Sequence, residues 1–140
     1  MEHEALTGTI IGAAMKVHRV LGPGFLESVY VNALAHELRK RGITFERNAR
    51  LRVFYEDVIM GEFEADFIVE SCVVTECKAI RALVDRNEVQ LVNCLAATRQ
   101  EIGLLLNFGG DKLQFKRKTR TYLPSTNDHV RDDENSNSNS

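Results

Sequence analysis

Apolar residues recur along the chain with two different periods, one typical of helices and the other of strands. From residue 3 to 21 they recur every three or four positions, with Leu6, Ile10 and Val17 on one face, which predicts an amphipathic helix. Alternating or continuous apolar residues elsewhere predict strands. The full pattern predicts helices at 3–21, 25–41 and 85–98, and strands at 43–46, 51–55, 58–69, 72–79, 102–108 and 112–117.

Local signals mark where several of these elements begin, bend and end. The Gly-Pro-Gly segment at 22–24 separates the first two helices, and Gly42 is placed to end the second. Gly61 lies inside a predicted strand and indicates a bulge. Asp85 is a candidate N-cap of the third helix, with Glu88 three residues later in the position of a capping box.

The order of the elements predicts the fold class. A helix pair, a meander of strands, a crossover helix and a strongly apolar strand predict an α/β (mixed α+β) fold, with a mixed sheet flanked by helices. Residues 102–108 form a nearly continuous apolar run, as expected for a strand buried on both faces. We expect one domain at 1–124, followed by a polar, repetitive and disordered tail at 125–140.

The predicted hairpin at 63–79 carries the most informative chemistry. Asp66 lies on its first strand, and Glu76 and Lys78 lie on its second strand. Since alternate side chains of a strand share a face, Glu76 and Lys78 point the same way. A three-residue loop at 70–72 pairs Asp66 with Glu76 on that face, whereas a two-residue loop turns the two carboxylates to opposite faces.

In the register with the three-residue loop, two carboxylates and an ammonium group converge on an otherwise apolar sheet. Hard oxygen ligands of this kind suit Mg²⁺ or Mn²⁺. A divalent ion beside a lysine suits attack on a phosphodiester, because the ion neutralises phosphate charge while the lysine orients the nucleophile or stabilises the transition state. The alternative is a surface strand with scattered charges, in which a Glu–Lys pair contributes little.

Composition narrows the cellular setting. No apolar run is long enough to cross a membrane, and the acidic N-terminal sequence does not begin a signal peptide. The three cysteines include no C-x-x-C pair, which favours reduced thiols over a disulfide framework or a zinc site. We therefore expect a cytoplasmic protein without a membrane partner.

Basic residues concentrate near the end of the predicted domain, although the formal net charge of the chain is −2. Their position suggests contacts with nucleic-acid phosphates. The alternative is an edge strand that its charges protect from aggregation. The candidate phosphate-binding residues are Lys112, Lys116, Arg117, Lys118 and Arg120.

The segment at 24–30 has the spacing G-x-x-E-x-x-Y, with Gly24, Glu27 and Tyr30 at the fixed positions. In this segment and several others the chain resembles the GxxExxY proteins, a family assigned to the PD-(D/E)XK nuclease-like superfamily. The resemblance covers about residues 5–120. The other matching segments are Leu21-Gly22-Pro23-Gly24, Ala65-Asp66-Phe67, Glu76-Cys77-Lys78-Ala79, Gln90-Leu91 with Asn93, and Gly103-Leu104-Leu105 with Asn107-Phe108-Gly109.

This resemblance implies a restriction-endonuclease-like core and a metal-dependent nuclease site. It implies that Asp66 and Glu76 are ligands of Mg²⁺ (or Mn²⁺) and that Lys78 is the catalytic lysine. It also implies that Glu27 joins the metal site from the second helix, and that Gln90 contributes from the third.

Two functions remain open from the sequence. The first is Mg²⁺-dependent hydrolysis of DNA or RNA, which the complete set of candidate site residues favours. The second is a non-catalytic nucleic-acid-binding or scaffold module that keeps the same fold, which the small size and modest charge favour. The last predicted strand and the first helix are candidate interfaces for a homodimer or a larger complex. Tyr30 suits either buried packing with a satisfied hydroxyl or a substrate contact.

Overall fold

The computed structural model describes residues 3–120, and the predicted tail at 125–140 lies outside the described residues. The long amphipathic stretches form helices and the alternating stretches form strands, as their periods predict. The elements are α1 (Glu4–Leu21), α2 (Glu27–Lys40), β1 (Phe45–Tyr55), β2 (Val58–Val69), β3 (Val73–Lys78), α3 (Asp85–Thr98), β4 (Ile102–Asn107) and β5 (Gln114–Thr119).

The strands form a five-stranded mixed sheet in the order β1-β2-β3-β4-β5. Neighbouring strands are antiparallel, except that β3 and β4 are parallel. A parallel pair cannot be joined by a tight turn, and here the connection runs through α3. This arrangement confirms the predicted mixed sheet with an antiparallel meander and flanking helices.

The core lies on both faces of the sheet. On one face, residues of α1 and α2, such as Ile10 and Leu34, pack in one cluster with Phe67 and Leu104 of the sheet. On the other face, Leu95 of α3 packs in a smaller cluster with sheet residues. All six residues of β4 are buried, as its continuous apolar run predicts.

The two strands predicted at 43–46 and 51–55 are one strand, β1, so that prediction was wrong. The cause is Asn48, which has a left-handed backbone with φ of 51° in the middle of the strand. Before Asn48, Phe45 packs edge-to-face on Phe67, whereas after it Leu51 packs in the opposite cluster. The apolar face therefore changes partway along β1, and the sequence pattern is interrupted there.

Two local predictions had different outcomes. The bulge expected at Gly61 is present, because Val53 pairs with Gly61 while Phe54 pairs with Ile59, leaving Met60 between them. The capping box at Asp85 was wrong. The N-cap is Val84, whose backbone N–H donates to the side chain of Asn87. Glu88 instead forms a salt bridge with Lys118 of β5.

Candidate active site

The register of the β2–β3 hairpin is the one that brings the two carboxylates together. Val69 pairs with Val73, and the ladder continues to the pair of Phe67 and Thr75. Two left-handed residues at 70 and 71 make the turn, and Cys72 is the additional residue that shifts the register by one. Of the two loop lengths that the sequence left open, the structure has the three-residue loop, which the functional interpretation requires.

Beyond the last backbone pair, the carboxylates replace the ladder between β2 and β3. The backbone N–H of Cys77 donates to Asp66 Oδ2 at 2.8 Å, and the backbone N–H of Asp66 donates to Glu76 Oε2 at 3.2 Å. Each carboxylate is thus held by the opposite strand. These bonds fix both side chains at the point where the two strands separate.

The β1–β2 pair also changes face at this point. Phe67 packs with the cluster of α1 and α2, whereas Ala65, two residues earlier, packs with the cluster of α3. In a regular strand these two residues share a face, so the strand is irregular at Asp66. Pairing of β1 with β2 is likewise interrupted between the Arg47–Phe67 and Ala49–Ala65 pairs. Asp66 therefore occupies a break in the sheet on both sides.

Burial has the largest influence on the ionisation of the pair. Burial and the negative charge of Asp66 raise the pKa of Glu76 to about 8, while the hydrogen bond from the Asp66 N–H and the charge of Lys78 oppose the rise. Burial and the charge of Asp66 also raise the pKa of Glu27, while Lys78 lowers it. Glu27 therefore lies within electrostatic range of both residues. The three carboxylates and the lysine share one electrostatic environment.

Gln90 lies on the same cavity as Glu76 and Lys78. The cavity has a volume of about 70 Å³ and is bounded by the sheet on one side and α3 on the other. This places the predicted helix glutamine beside the predicted catalytic lysine. The lining residues are Phe63, Glu76, Lys78, Asn87, Gln90, Leu91 and Leu105.

Tyr30 holds the loop that leads into Glu27. Its hydroxyl donates to the Gly22 carbonyl at 2.6 Å and accepts from the Phe25 N–H at 3.1 Å. The ring is fully buried and stacks on Phe108 with 4.9 Å between centroids. Buried packing with a satisfied hydroxyl is thus the role of Tyr30 in the structure. The motif of G-x-x-E-x-x-Y spacing positions the first turn of α2.

Asn107 fixes the chain after Lys78, a role that the sequence pattern did not predict. The two residues pair across β3 and β4. The buried Asn107 side chain accepts hydrogen bonds from the backbone N–H groups of Ile80 and Gly109, at 3.0 and 3.1 Å. A Cβ atom at Gly109 would lie only 2.1 Å from the Ile80 carbonyl oxygen, so glycine is required there.

The predicted phosphate-binding residues of the last strand lie two strands away from the carboxylates, on β5 and beside it. Lys118 Nζ lies 2.7 Å from Glu88, and Lys116 Nζ lies 3.8 Å from the same carboxylate. Arg120 is only 4% exposed. Lys112 and Arg117 are more exposed. Part of this positive charge is therefore directed at α3 rather than at solvent.

The residues at the break in the sheet match the chemistry of a hard divalent cation. Their donors are carboxylate oxygens, and the raised pKa of Glu76 shows that its burial and the charge of Asp66 outweigh the opposing charge of Lys78. Across residues 3–120, no three His, Cys, Asp or Glu side chains are close enough to form a ready-made cation cluster. The geometry brings Asp66 and Glu76 together and leaves Glu27 at longer range. Magnesium is commonly held by one or two carboxylates, with water and substrate completing its shell, so a two-carboxylate site fits.

No helix within residues 3–120 is long and apolar enough to cross a membrane.

The mixed sheet, the helices on both of its faces and the hairpin that separates at two carboxylates define a restriction-endonuclease-like fold. The chain belongs to the PD-(D/E)XK nuclease superfamily, since the model of that family matches residues 4–118. This membership supports a nuclease-like function with a nucleic-acid substrate.

Comparison with solved structures gives distant likenesses. The chain is similar to the crystal structure of SSO0001, with a TM-score of 0.47, 13% identity, and coverage of 98% of this chain and 67% of that one. It is also similar to an alkaline exonuclease (LHK-Exo) from Laribacter hongkongensis, with a TM-score of 0.46, 9% identity, and coverage of 99% and 81%. A search of curated proteins finds no match to the chain.

Proposed function

We propose that this chain is a Mg²⁺-dependent nuclease of the GxxExxY type, which hydrolyses phosphodiester bonds in DNA or RNA. One observation carries the proposal. Where β2 separates from β3, Asp66 and Glu76 are each bonded to the opposite strand, and Lys78 shares the strand face of Glu76. We call this break in the sheet, with Asp66, Glu76 and Lys78 around it, the carboxylate notch, and we propose that a phosphate group of the substrate binds there.

Asp66 and Glu76 are the proposed ligands of the divalent ion. When bound, the ion supplies positive charge to the phosphate and lowers the pKa of a water molecule. Each carboxylate uses one oxygen on a backbone N–H, which leaves its other oxygen for the ion. Glu27 lies farther away and is the proposed ligand through water.

Lys78 is the proposed catalytic lysine. In the described part of the chain no carboxylate lies within ion-pair distance of its ammonium group, so its donors are available to a water molecule or a phosphate oxygen. In this role it orients the nucleophile or stabilises negative charge on the phosphate. The amide of Gln90, on the same cavity, orients the substrate beside it.

The test is cleavage of labelled single-stranded, double-stranded and branched DNA, and of RNA, in Mg²⁺, in Mn²⁺ and in EDTA. We expect the wild type to cleave at least one substrate only when an ion is present. The Lys78→Ala variant is expected to lose about a hundredfold or more in rate. Lys16→Ala removes a lysine that pairs with Glu37 far from the notch and serves as the matched control. Absence of turnover on every substrate, together with no heat of metal binding in calorimetry, would reject the proposal.

A non-catalytic nucleic-acid-binding module is the second candidate function. It is favoured by the absence, within residues 3–120, of three close metal-ligating side chains. Under this alternative, Asp66→Ala and Lys78→Ala leave nucleic-acid affinity unchanged, and no metal produces turnover. The nuclease proposal instead expects turnover in the presence of a metal ion, and its loss in both variants.

A cytoplasmic location is part of the proposal. The three cysteines, Cys72, Cys77 and Cys94, are all free thiols. Free thiols persist where glutathione and thioredoxin keep the compartment reducing.

A further inference from the structure

A second charged surface lies on the opposite side of the carboxylates from β5. It is an open groove of about 570 Å³ between the last turn of α2 and the edge strand β1. We call it the arginine groove, because Arg39 and Arg47 are its charged residues. The residues that line it are Arg39, Gly42, Ile43, Thr44, Phe45 and Arg47, and none of them is acidic.

Aromatic rings hold both arginines in place. The Arg39 guanidinium lies 5.2 Å from the centroid of the Phe45 ring, and the Arg47 guanidinium lies 5.9 Å from that of Phe67. The two rings contact each other edge-to-face at 5.3 Å. Stacking on a ring limits the motion of a guanidinium while leaving its N–H edge free to donate. The groove thus presents two oriented forks of donors.

Neither arginine is neutralised within residues 3–120. No carboxylate lies within ion-pair distance of either guanidinium, and Arg47 Nε is buried without a hydrogen-bond partner. The neighbouring basic residues behave differently, because Lys40 and Arg41 both pair with Glu37. A buried donor without a partner is costly, so an acceptor on a bound ligand would stabilise Arg47.

Arg47 connects the arginine groove to the carboxylate notch. It pairs with Phe67, the residue after Asp66. Because Arg47 lines the groove and Phe67 follows Asp66 along β2, the groove ends at the strand segment that carries Asp66.

We propose that the arginine groove binds the phosphate backbone of a nucleic-acid strand that enters the active site. Guanidinium forks match phosphate oxygens in a bidentate geometry, and a row of phosphates supplies an acceptor to each arginine. The inference rests on the proposed nuclease function and adds the path of the substrate. It assigns this path to Arg39 and Arg47 rather than to the basic residues of β5.

The experiment measures binding of a fluorescent 20-nucleotide single strand, and of the same sequence as a duplex, by anisotropy in Mg²⁺. All proteins carry Lys78→Ala, so that the oligonucleotide is not consumed. We compare this parent with Arg39→Ala/Arg47→Ala and with the control Arg52→Ala, which removes an exposed arginine of β1 outside the groove. Comparing the single strand with the duplex shows which form supplies the phosphates.

We expect the double variant to bind at least about tenfold more weakly than the parent, and Arg52→Ala to bind like the parent. The slope of log affinity against log salt should become shallower by about 1.4 for a single strand, because two phosphate contacts are lost. Arg39→Lys/Arg47→Lys keeps both charges and should retain most of the salt slope.

Equal affinity and salt slope in the double variant and in Arg52→Ala would overturn the proposal that the arginine groove binds phosphates. A parent that binds neither oligonucleotide would overturn it as well. Circular dichroism checks that the double variant is folded. If it is not, Arg39→Gln/Arg47→Gln replaces it and must show the same loss. Turnover by the protein with Lys78 intact tests the nuclease function separately, so a failure of the groove leaves that function standing.

Discussion

Replacement of Glu76 by glutamine should stabilise the metal-free protein at alkaline pH. In the folded protein the pKa of this carboxyl is raised to about 8, whereas an ordinary glutamate has a value near 4.5. Between these two values the folded state binds a proton that the unfolded state has released. The stability of the wild type therefore falls as the pH rises from about 4.5 to about 8.

The size of this effect follows from the pKa difference. A tenfold change in proton affinity corresponds to about 1.4 kcal/mol, so ionised Glu76 costs the folded apoprotein on the order of 5 kcal/mol. Glu76→Gln cannot ionise, and its side-chain oxygen can still accept the bond from the Asp66 N–H. The variant should be more stable than the wild type by about this amount at pH 8.5, and by less than about 1 kcal/mol at pH 5.

Urea unfolding in EDTA at pH 5, 6.5 and 8.5 measures the difference. With an m-value of about 2 kcal/mol per molar, the midpoint of Glu76→Gln should lie about 2.5 M above that of the wild type at pH 8.5. Glu64→Gln makes the same chemical change at an exposed position of β2 and should follow the wild type at every pH. If Glu76→Gln has the same or lower stability at pH 8.5, the pKa of Glu76 is not raised by folding, because the folded protein then tolerates or favours the ionised carboxylate.

Three further predictions concern neighbouring groups. Asp66→Asn removes the charge that helps to raise the pKa of Glu76. It should therefore also stabilise the apoprotein above pH 7, and it should weaken Mn²⁺ binding in calorimetry. A destabilised apoprotein would instead show that Asp66 has a structural role. Tyr30→Phe leaves the Gly22 carbonyl and the Phe25 N–H without a partner, so it should lower the free energy of unfolding in urea by about 1–3 kcal/mol and slow cleavage. Unchanged stability would show that the Tyr30 hydroxyl does not hold this loop. Asn107→Ala removes two backbone hydrogen bonds after β3 and should cost about 3 kcal/mol in thermal unfolding, which a small loss would contradict.

The parts of the fold set by local chemistry were predictable from the sequence. The buried strand β4 was evident from its apolar run. For the β2–β3 hairpin the sequence left two registers open, and the structure has the one that aligns Asp66 with Glu76. Glu27 and Gln90 were named from a family resemblance rather than from their own local pattern.

Other features depend on contacts between distant parts of the chain. The change of face at Asn48 and Asp66 interrupts the alternation that defines a strand, so β1 was predicted as two pieces. The basic character of β5 was evident, but the pairing of Lys118 with Glu88 across the fold was not. Arg39 and Arg47 lie on different elements, and the sequence contains no signal that their side chains share a groove.

A crystal structure of the protein soaked with Mn²⁺, with the ion located from its anomalous signal, would show whether Asp66 and Glu76 bind a metal ion. We expect one ion at the break between β2 and β3, in contact with an oxygen of Asp66 and an oxygen of Glu76, and with Glu27 on its water shell. An ion elsewhere, or none while both carboxylates keep their bonds to the opposite strand, would show that these residues are not a metal site.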